Sequence, residues 1–326
     1  MTGPVPRAAR RVLEEGVLCH LAVRTPWGPH LTPVVFVLDG GRLWLTTSRR
    51  SVKARTWKDD PFIGGLVVTG DRAVSFHGRV RTYDALDPLS WPAATVAGPR
   101  LVSAATKFSL KNARFFAGYA VDARRVPLAW TPPGRVFARI DLSAGWLLSI
   151  PDGSVLERWG ERTGRRRTSF RASFEPLGRT RPLDLRVPRD VRSAGGPGGQ
   201  APLALDEGIG PPVVLPARWR RVAAEGTYEA AVPRALVDLA GPGAEAPGAL
   251  TVDRASVWRA ADMVGMLIQG RADLYAPGAT RRGTTALRER AARLGGPAVD
   301  DLVLIRLLPS RVVWWRGWTS GTVARA

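Results

Sequence analysis

Leu31-Thr32-Pro33-Val34-Val35-Phe36-Val37-Leu38, then Asp39-Gly40-Gly41, then Arg42-Leu43-Trp44-Leu45-Thr46-Thr47: the fold turns on how this run is read. β-Branched and aromatic residues fill both flanks, and Asp-Gly-Gly supplies the backbone freedom that a tight hairpin needs. Upstream, Val17 to Val23 reads as another strand, turned at Pro26-Trp27-Gly28. Downstream, Ile63–Val68 and Ala73–Tyr83 flank a turn at Thr69-Gly70-Asp71, and Val136–Leu148 is strand-like again. Short strands joined by tight turns predict a small antiparallel barrel or sandwich over residues 17–84.

Two helices interrupt these strands. Pro6–Glu15 has Pro6 in its first turn and Gly16 at its end. Ser51–Asp59 has Ser51 as a candidate N-cap and Asp60-Pro61 as its stop. Between Pro88 and Asp122, Leu101, Phe108, Leu110, Phe115, Phe116 and Tyr119 recur at roughly helical spacing, which predicts one or two helices packed on the barrel. The fold class is mainly β with helices (α+β).

A chain of 326 residues suits two domains, and 45% apolar content implies packed cores. No apolar run approaches the roughly 20 residues that span a bilayer, and Met1–Arg11 has no apolar core of the secretory kind. A cytoplasmic protein without a membrane partner is expected. Cys19 is the one cysteine; with His20, His30 and His77 it supplies neither a disulfide nor a usual metal-ligand set, so no metal is expected. The net charge is +20, but the cations are spread along the chain and only Lys53, Lys58, Lys107 and Lys111 are lysines. Solvated surface charge explains most of it. Nucleic-acid binding through the Arg-rich stretch 162–192 is the lowest-ranked function.

From 161 to 212 the patterning fails, Arg165-Arg166-Arg167 and Gly195-Gly196-Pro197-Gly198-Gly199 stand out, and a linker is expected. It separates domains at 1–160 and 213–326. The two domains echo each other. Leu45-Thr46 and Ser51 match Leu250-Thr251 and Ser256; Gly78-Arg79 and Tyr83 match Gly270-Arg271 and Tyr275. Arg139-Ile140 and Ser143 match Arg306-Leu307 and Ser310, and Thr32–Val37 resembles Ala231–Val237. The spacing from Ser256 to Gly270 is shorter than from Ser51 to Gly78, so the second copy is expected to lack a hairpin.

The run Thr46-Thr47-Ser48-Arg49-Arg50-Ser51-Val52-Lys53-Ala54-Arg55 ends a strand in hydroxyls, adds cations and opens a helix with free backbone N–H groups. That combination suits a phosphate, and equally a capped surface helix with solvated cations. Lys53 and Arg55 diverge by about 200° on a helix, so one ligand need not touch both.

Leu21–Asp84 resembles the pyridoxamine 5'-phosphate oxidase family of flavin-binding split barrels. The features that carry the likeness are Leu21-Ala22-Val23, Gly28-Pro29-His30, Thr32–Val37, Asp39–Thr47, Ser51-x-Lys53-x-Arg55, Asp60-Pro61 and Gly78-Arg79-Val80-Arg81. The resemblance implies two tandem split β-barrels forming an intrachain pseudo-dimer, as a monomer or a homodimer, with FMN between the barrels. A deazaflavin coenzyme is the alternative, and haem a remoter one. It implies that Thr32, Pro33, Val34, Val35 and Phe36 line the ring, and that Leu45, Thr46, Thr47, Ser51, Val52, Lys53 and Arg55 meet the ribityl chain and phosphate. Trp315 and Arg316 would reach across from the C-terminal end. Trp258 stands where Lys53 is expected in the second copy, so one cofactor site per chain is implied. The function implied is a flavin-dependent oxidoreductase acting on a small molecule. A non-catalytic cofactor-binding or sensing protein is the second reading. No nucleophile–base set accompanies these residues, and catalytic side chains are unassigned, which is compatible with a cofactor that carries the chemistry.

Overall fold

The computed structural model describes residues 4–84, 86–87, 90–114, 134–161, 167–208, 210–254, 260–295 and 299–325. Helix α1 (Arg7–Glu15) opens the chain. Strands β1 (Leu18–Val23), β2 (His30–Asp39) and β3 (Arg42–Ser48), helix α2 (Val52–Asp59), and strands β4 (Phe62–Thr69) and β5 (Arg72–Tyr83) follow. Each lies within two residues of its expected position. Helix α3 (Trp91–Lys111) covers the outside, and β6 (Arg135–Ser149) and β7 (Val155–Trp159) complete the sheet. The expected helical positions Phe115, Phe116 and Tyr119 lie outside the described residues.

The strand order is β3-β2-β1-β4-β5-β6-β7, and β3 also pairs with β6, so six antiparallel strands close a barrel. Alternation along each strand sorts the side chains. Cys19, Leu21 and Val23 of β1, Phe36 of β2 and Leu43 and Leu45 of β3 fill the interior with Phe76, Ile140 and Trp57. Val35, Val37 and Trp44 face outward and are covered by Ala97, Ala104 and Phe108 of α3.

The second barrel repeats this order. Strands β8 (Gly198–Leu205), β9 (Val213–Val222), β10 (Thr227–Pro233), β11 (Glu245–Arg254), β12 (Val264–Tyr275), β13 (Leu302–Arg316) and β14 (Thr319–Ala324) lie in the order β10-β9-β8-β11-β12-β13-β14, closed by β10–β13. Helices α4 (Arg189–Ala194), α5 (Arg234–Ala240) and α6 (Thr284–Ala292) decorate it. The protein is two tandem split barrels in one chain.

Three expectations are corrected by this topology. The second copy lacks no hairpin, because seven strands in each sheet correspond one to one. The stretch 161–212 is not all linker: it holds α4 and β8, an interior strand of the second sheet paired with both β9 and β11. β8 was hidden because Gly198-Gly199 and Pro202 weaken its strand pattern. Finally, the two halves correspond differently from the sequence matches. Gly78/Gly270 and Arg139/Arg306 are equivalent: both glycines sit at a bulge, after His77 in β5 and after Gln269 in β12. Ser143 Oγ and Ser310 Oγ donate to the equivalent carbonyls of His77 and Gln269, at 3.2 and 3.3 Å. But Leu250-Thr251 lies in β11, the partner of β4 rather than β3, and Ala231 lies in β10, the partner of β3 rather than β2. Leu-Thr and Ala-Val pairs suit any strand; only the ladder says which one. Ser256, Trp258 and Arg259 lie outside the described residues.

The barrels pack through the outer faces of β1, β4 and β5. Ala22, Leu31, Leu66 and Ala73 join the apolar core of the second barrel. Ser75 Oγ donates to Val214 O at 2.7 Å, Thr251 Oγ1 to Leu31 O at 2.6 Å, and Gln269 Nε2 to Pro29 O at 2.9 Å. Arg24 holds Asp206 with two hydrogen bonds, 2.8 and 3.0 Å, and His20 Nε2 lies 3.2 Å from Asp253 Oδ2. Buried polar groups are paired here across the interface, which fixes the two barrels in one register.

Candidate functional site

A cavity of about 260 Å³ opens between the barrels, beside β2, β3 and the start of α2. From the first barrel it is walled by His30, Thr32, Pro33, Val34 and Val35 of β2, by Thr46, Thr47 and Ser48 of β3, and by Ser51, Lys53 and Arg135. Met263, Trp315 and the hairpin tip Gly317–Ser320 close it from the second barrel. No carboxylate lines it among the described residues.

The start of α2 is built by capping. Ser51 has extended backbone, and its Oγ accepts from Ala54 N at 3.1 Å and from Thr47 Oγ1 at 3.1 Å. This brings Lys53, in the first turn, inward. Lys53 is 5% exposed, and its Nζ donates to Thr32 Oγ1 and to Thr32 O. No carboxylate partner meets it among the described residues. Burial pushes its ammonium down to about 8. Arg135 comes from the strand that closes the barrel, where it faces Ser48. Its Nε donates to Thr46 Oγ1 at 3.0 Å and its Nη2 to Thr46 O at 2.9 Å.

His30 shares the wall. It is 8% exposed, and its Nδ1 has no hydrogen-bond partner among the described residues. Burial pushes its pKa down to about 3, and the charges of Lys53 and Arg311 act in the same direction. The imidazole is therefore neutral at physiological pH. The site combines a cationic end, hydroxyl groups, an apolar strand wall and two indoles.

Of the residues implied by the resemblance, Thr32, Pro33, Val34, Val35, Thr46, Thr47, Ser51, Lys53 and Trp315 line this one cavity. Five do not. Phe36 and Leu45 belong to the barrel interior, because strand alternation turns them away from Val35 and Thr46. Val52 lies outside the cavity wall, and Arg55 is exposed, about 200° around the helix from Lys53. Arg316 turns outward, its Nη1 3.0 Å from Asp190 Oδ2. His30, Arg135, Met263 and Trp318 were missed. The signal for His30 was present, since it lies two residues before Thr32 on the same strand. Arg135 is brought in only by the β3–β6 pairing, about ninety positions away in sequence.

The pseudo-symmetric position in the second barrel is nearly filled. Pro216, Ala231, Pro233 and Leu236 meet Ile150, Pro151 and Gly153 of the first barrel around a space of about 20 Å³. A Cβ at Gly153 would lie 2.1 Å from Pro233 Cγ. Register aligns Pro233 with Ser48, the last residues of β10 and β3, and Pro233 itself caps α5 without a side-chain bond. The three-residue turn Arg49–Ser51 therefore has no counterpart, and the second helical residue is Ala235 where α2 has Lys53.

Residues 6–100 match the family model described as pyridoxamine 5'-phosphate oxidase, so the resemblance read from Leu21–Asp84 holds over strands β1–β5 of the first barrel. No curated protein matches the sequence. Similar solved structures include an F420 reductase, 22% identical over 43% of this chain and 98% of its own, with a TM-score of 0.30. A conserved hypothetical protein from Mycobacterium tuberculosis is 21% identical over 45% of this chain and 86% of its own, TM-score 0.32. A pyridoxamine 5'-phosphate oxidase-related, FMN-binding protein from Nostoc punctiforme PCC 73102 is 18% identical over 44% of this chain and 79% of its own, TM-score 0.33.

Proposed function

We propose that this chain, whose residues 6–100 match the pyridoxamine 5'-phosphate oxidase family model, binds the phosphorylated end of FMN or of a deazaflavin coenzyme in the inter-barrel cavity and is an oxidoreductase acting on a small molecule. Lys53 carries the proposal. A buried ammonium without a counter-ion costs several kcal/mol, and a bound phosphate removes that cost. Arg135 and the hydroxyls of Thr47 and Ser51 surround it with further donors. The coenzyme supplies hydride chemistry that no side chain here carries. The chain's own part is to bind and shield. Lys53 and Arg135 hold the anion, strand β2 from Thr32 to Val35 offers a flat wall, and Trp315 and Trp318 cover the opposite side and exclude water. His30, neutral, offers an uncharged hydrogen-bonding nitrogen. The cavity lies just under the roughly 300 Å³ at which small-molecule sites begin, so a whole coenzyme requires the Gly317–Ser320 tip to lie further out.

Titrating the purified protein with FMN and with a deazaflavin, followed by visible absorbance and fluorescence, tests this reading. Binding of one is expected, and binding of neither overturns it. Lys53→Met is expected to weaken binding by about 10- to 100-fold, the worth of one charge-assisted contact. Unchanged affinity would remove Lys53 from the site. Bound coenzyme that is never reduced or reoxidised by any small molecule would leave a binding protein and sink the oxidoreductase.

A further inference from the structure

A further concavity, of about 390 Å³, lies on the outer side of the second barrel, where the 3-10 turn Leu183–Arg186 packs on β13 and β14 and α4 on β11, β12 and β13, with Arg221 of β9 at its edge. Arg189 and Arg192 of α4, Arg221 of β9 and Asp184 line it. It shares no residue with the coenzyme cavity.

Asp184 is the one carboxylate in the lining among the described residues, and Arg221 holds it in a forked pair: Nη2 donates to Oδ1 at 2.9 Å, and Nε lies 2.7 Å from Oδ2. Asp190, between the two α4 arginines in sequence, is taken by Arg316 outside the pocket. Arg189 and Arg192 therefore have no carboxylate partner among the described residues, although they border the same hollow as Arg221. The Nε of Arg192 is buried there without a hydrogen-bond partner among the described residues. A buried guanidinium N–H left unpaired is destabilising, and an incoming oxyanion satisfies it. Several exposed arginines elsewhere are taken up by carboxylates, as Arg10 is by Glu14 and Arg288 by Asp300. Here they converge on a hollow.

We propose that this pocket is a binding site for a phosphate-bearing small molecule, with Arg189 and Arg192 as the anion ligands and Arg221, braced by Asp184, as the wall. Planar guanidinium forks match the paired oxygens of phosphate. The pocket volume suits a small ligand, and the charges gather in one concavity rather than along the groove that a nucleic-acid strand follows.

The experiment uses the full chain and inorganic pyrophosphate, measured by calorimetry near physiological salt. The Lys53→Met background keeps the coenzyme cavity from contributing. Saturable binding of one pyrophosphate is expected in that background, weakened about tenfold or more by Arg192→Gln and by the exposed Arg189→Gln, whose folding burial does not threaten. Arg186→Gln removes the same charge outside the pocket and is expected to bind as before. Equal weakening by Arg186→Gln overturns the site in favour of general surface charge. Failure to bind pyrophosphate overturns it too, as does duplex DNA binding that depends on Arg192 and that pyrophosphate does not displace. Loss of FMN binding by the parent protein would sink the coenzyme reading and leave this one standing.

Discussion

The two barrels share their strand order, their barrel-closing pair and the bulge beside a central glycine, yet one leaves a cavity at its β3–α2 corner and the other closes the same corner. The difference is three residues and a proline. In the first barrel Arg49–Ser51 separate strand from helix, Ser51 caps the helix, and Lys53 turns inward. In the second, Pro233 is both the last strand residue and the cap, and the turn containing Gly153 packs on it. An open cavity at this corner thus depends on the length of one connection, while the strands around it stay the same.

The comparison is most severely tested at the interface itself. Gly64 and Ala249 are equivalent positions in β4 and β11, but a Cβ at Gly64 would sit 1.8 Å from the carbonyl oxygen of Pro212. That obstacle is backbone and cannot swing away. Gly64→Ala is expected to cost about 3 kcal/mol or more, seen as a large drop in melting temperature, whereas Ala249→Gly is expected to cost about 1 kcal/mol or less. Equal effects would mean that the barrels do not meet as described.

The second test is a pH titration. Lys53 is charged below about 8 and neutral above it. The phosphate of FMN is doubly ionised well before that pH. Affinity for FMN is therefore expected to fall about tenfold between pH 7 and pH 9, and Lys53→Met is expected to flatten the profile. Stability moves the opposite way. The folded pKa lies below the unfolded value, so the unfolded chain binds more protons between about 8 and 10.5, and the ligand-free protein gains stability as pH rises through that window. Urea unfolding at pH 7 and pH 9.5 measures it, and a fall attributable to Lys53 would contradict its burial.

The smallest effect concerns the cap. Ser51→Ala removes the bond to Ala54 N and is expected to cost about 1 kcal/mol. Pro233→Ala removes no such bond, and its effect on α5 is expected to be smaller. If the two substitutions weaken their barrels equally, capping is not what distinguishes the corners.

Most of the first barrel was legible in the sequence. Asp39-Gly40-Gly41, Thr69-Gly70-Asp71 and Ser51 punctuate it, and these residues act through local geometry, so reading them requires no knowledge of the fold. The cavity was half legible. Thr32–Val35, Thr46, Thr47, Ser51 and Lys53 come from one continuous hairpin and the helix after it. Arg135, Met263 and Trp318 are distant in sequence and reach the wall only through β3–β6 pairing and the docking of the second barrel. Phe36 and Leu45 face the barrel interior and not the cavity, since the motif that carries the resemblance spans both faces of a strand while one face lines the cavity. β8 was lost to its own glycines and proline, although it is paired on both sides within its sheet.

By itself, the sequence determined the β-rich class, the hairpins, the capped helix start with its rare lysine, and the presence of two related halves. These are matters of local propensity and of short-range repetition. Which strand answers to which, that Arg316 faces away, and that the second corner is closed by Gly153 against Pro233 were decided only by tertiary structure. Ladder register and inter-barrel packing set those outcomes, and both depend on contacts between residues far apart in the chain.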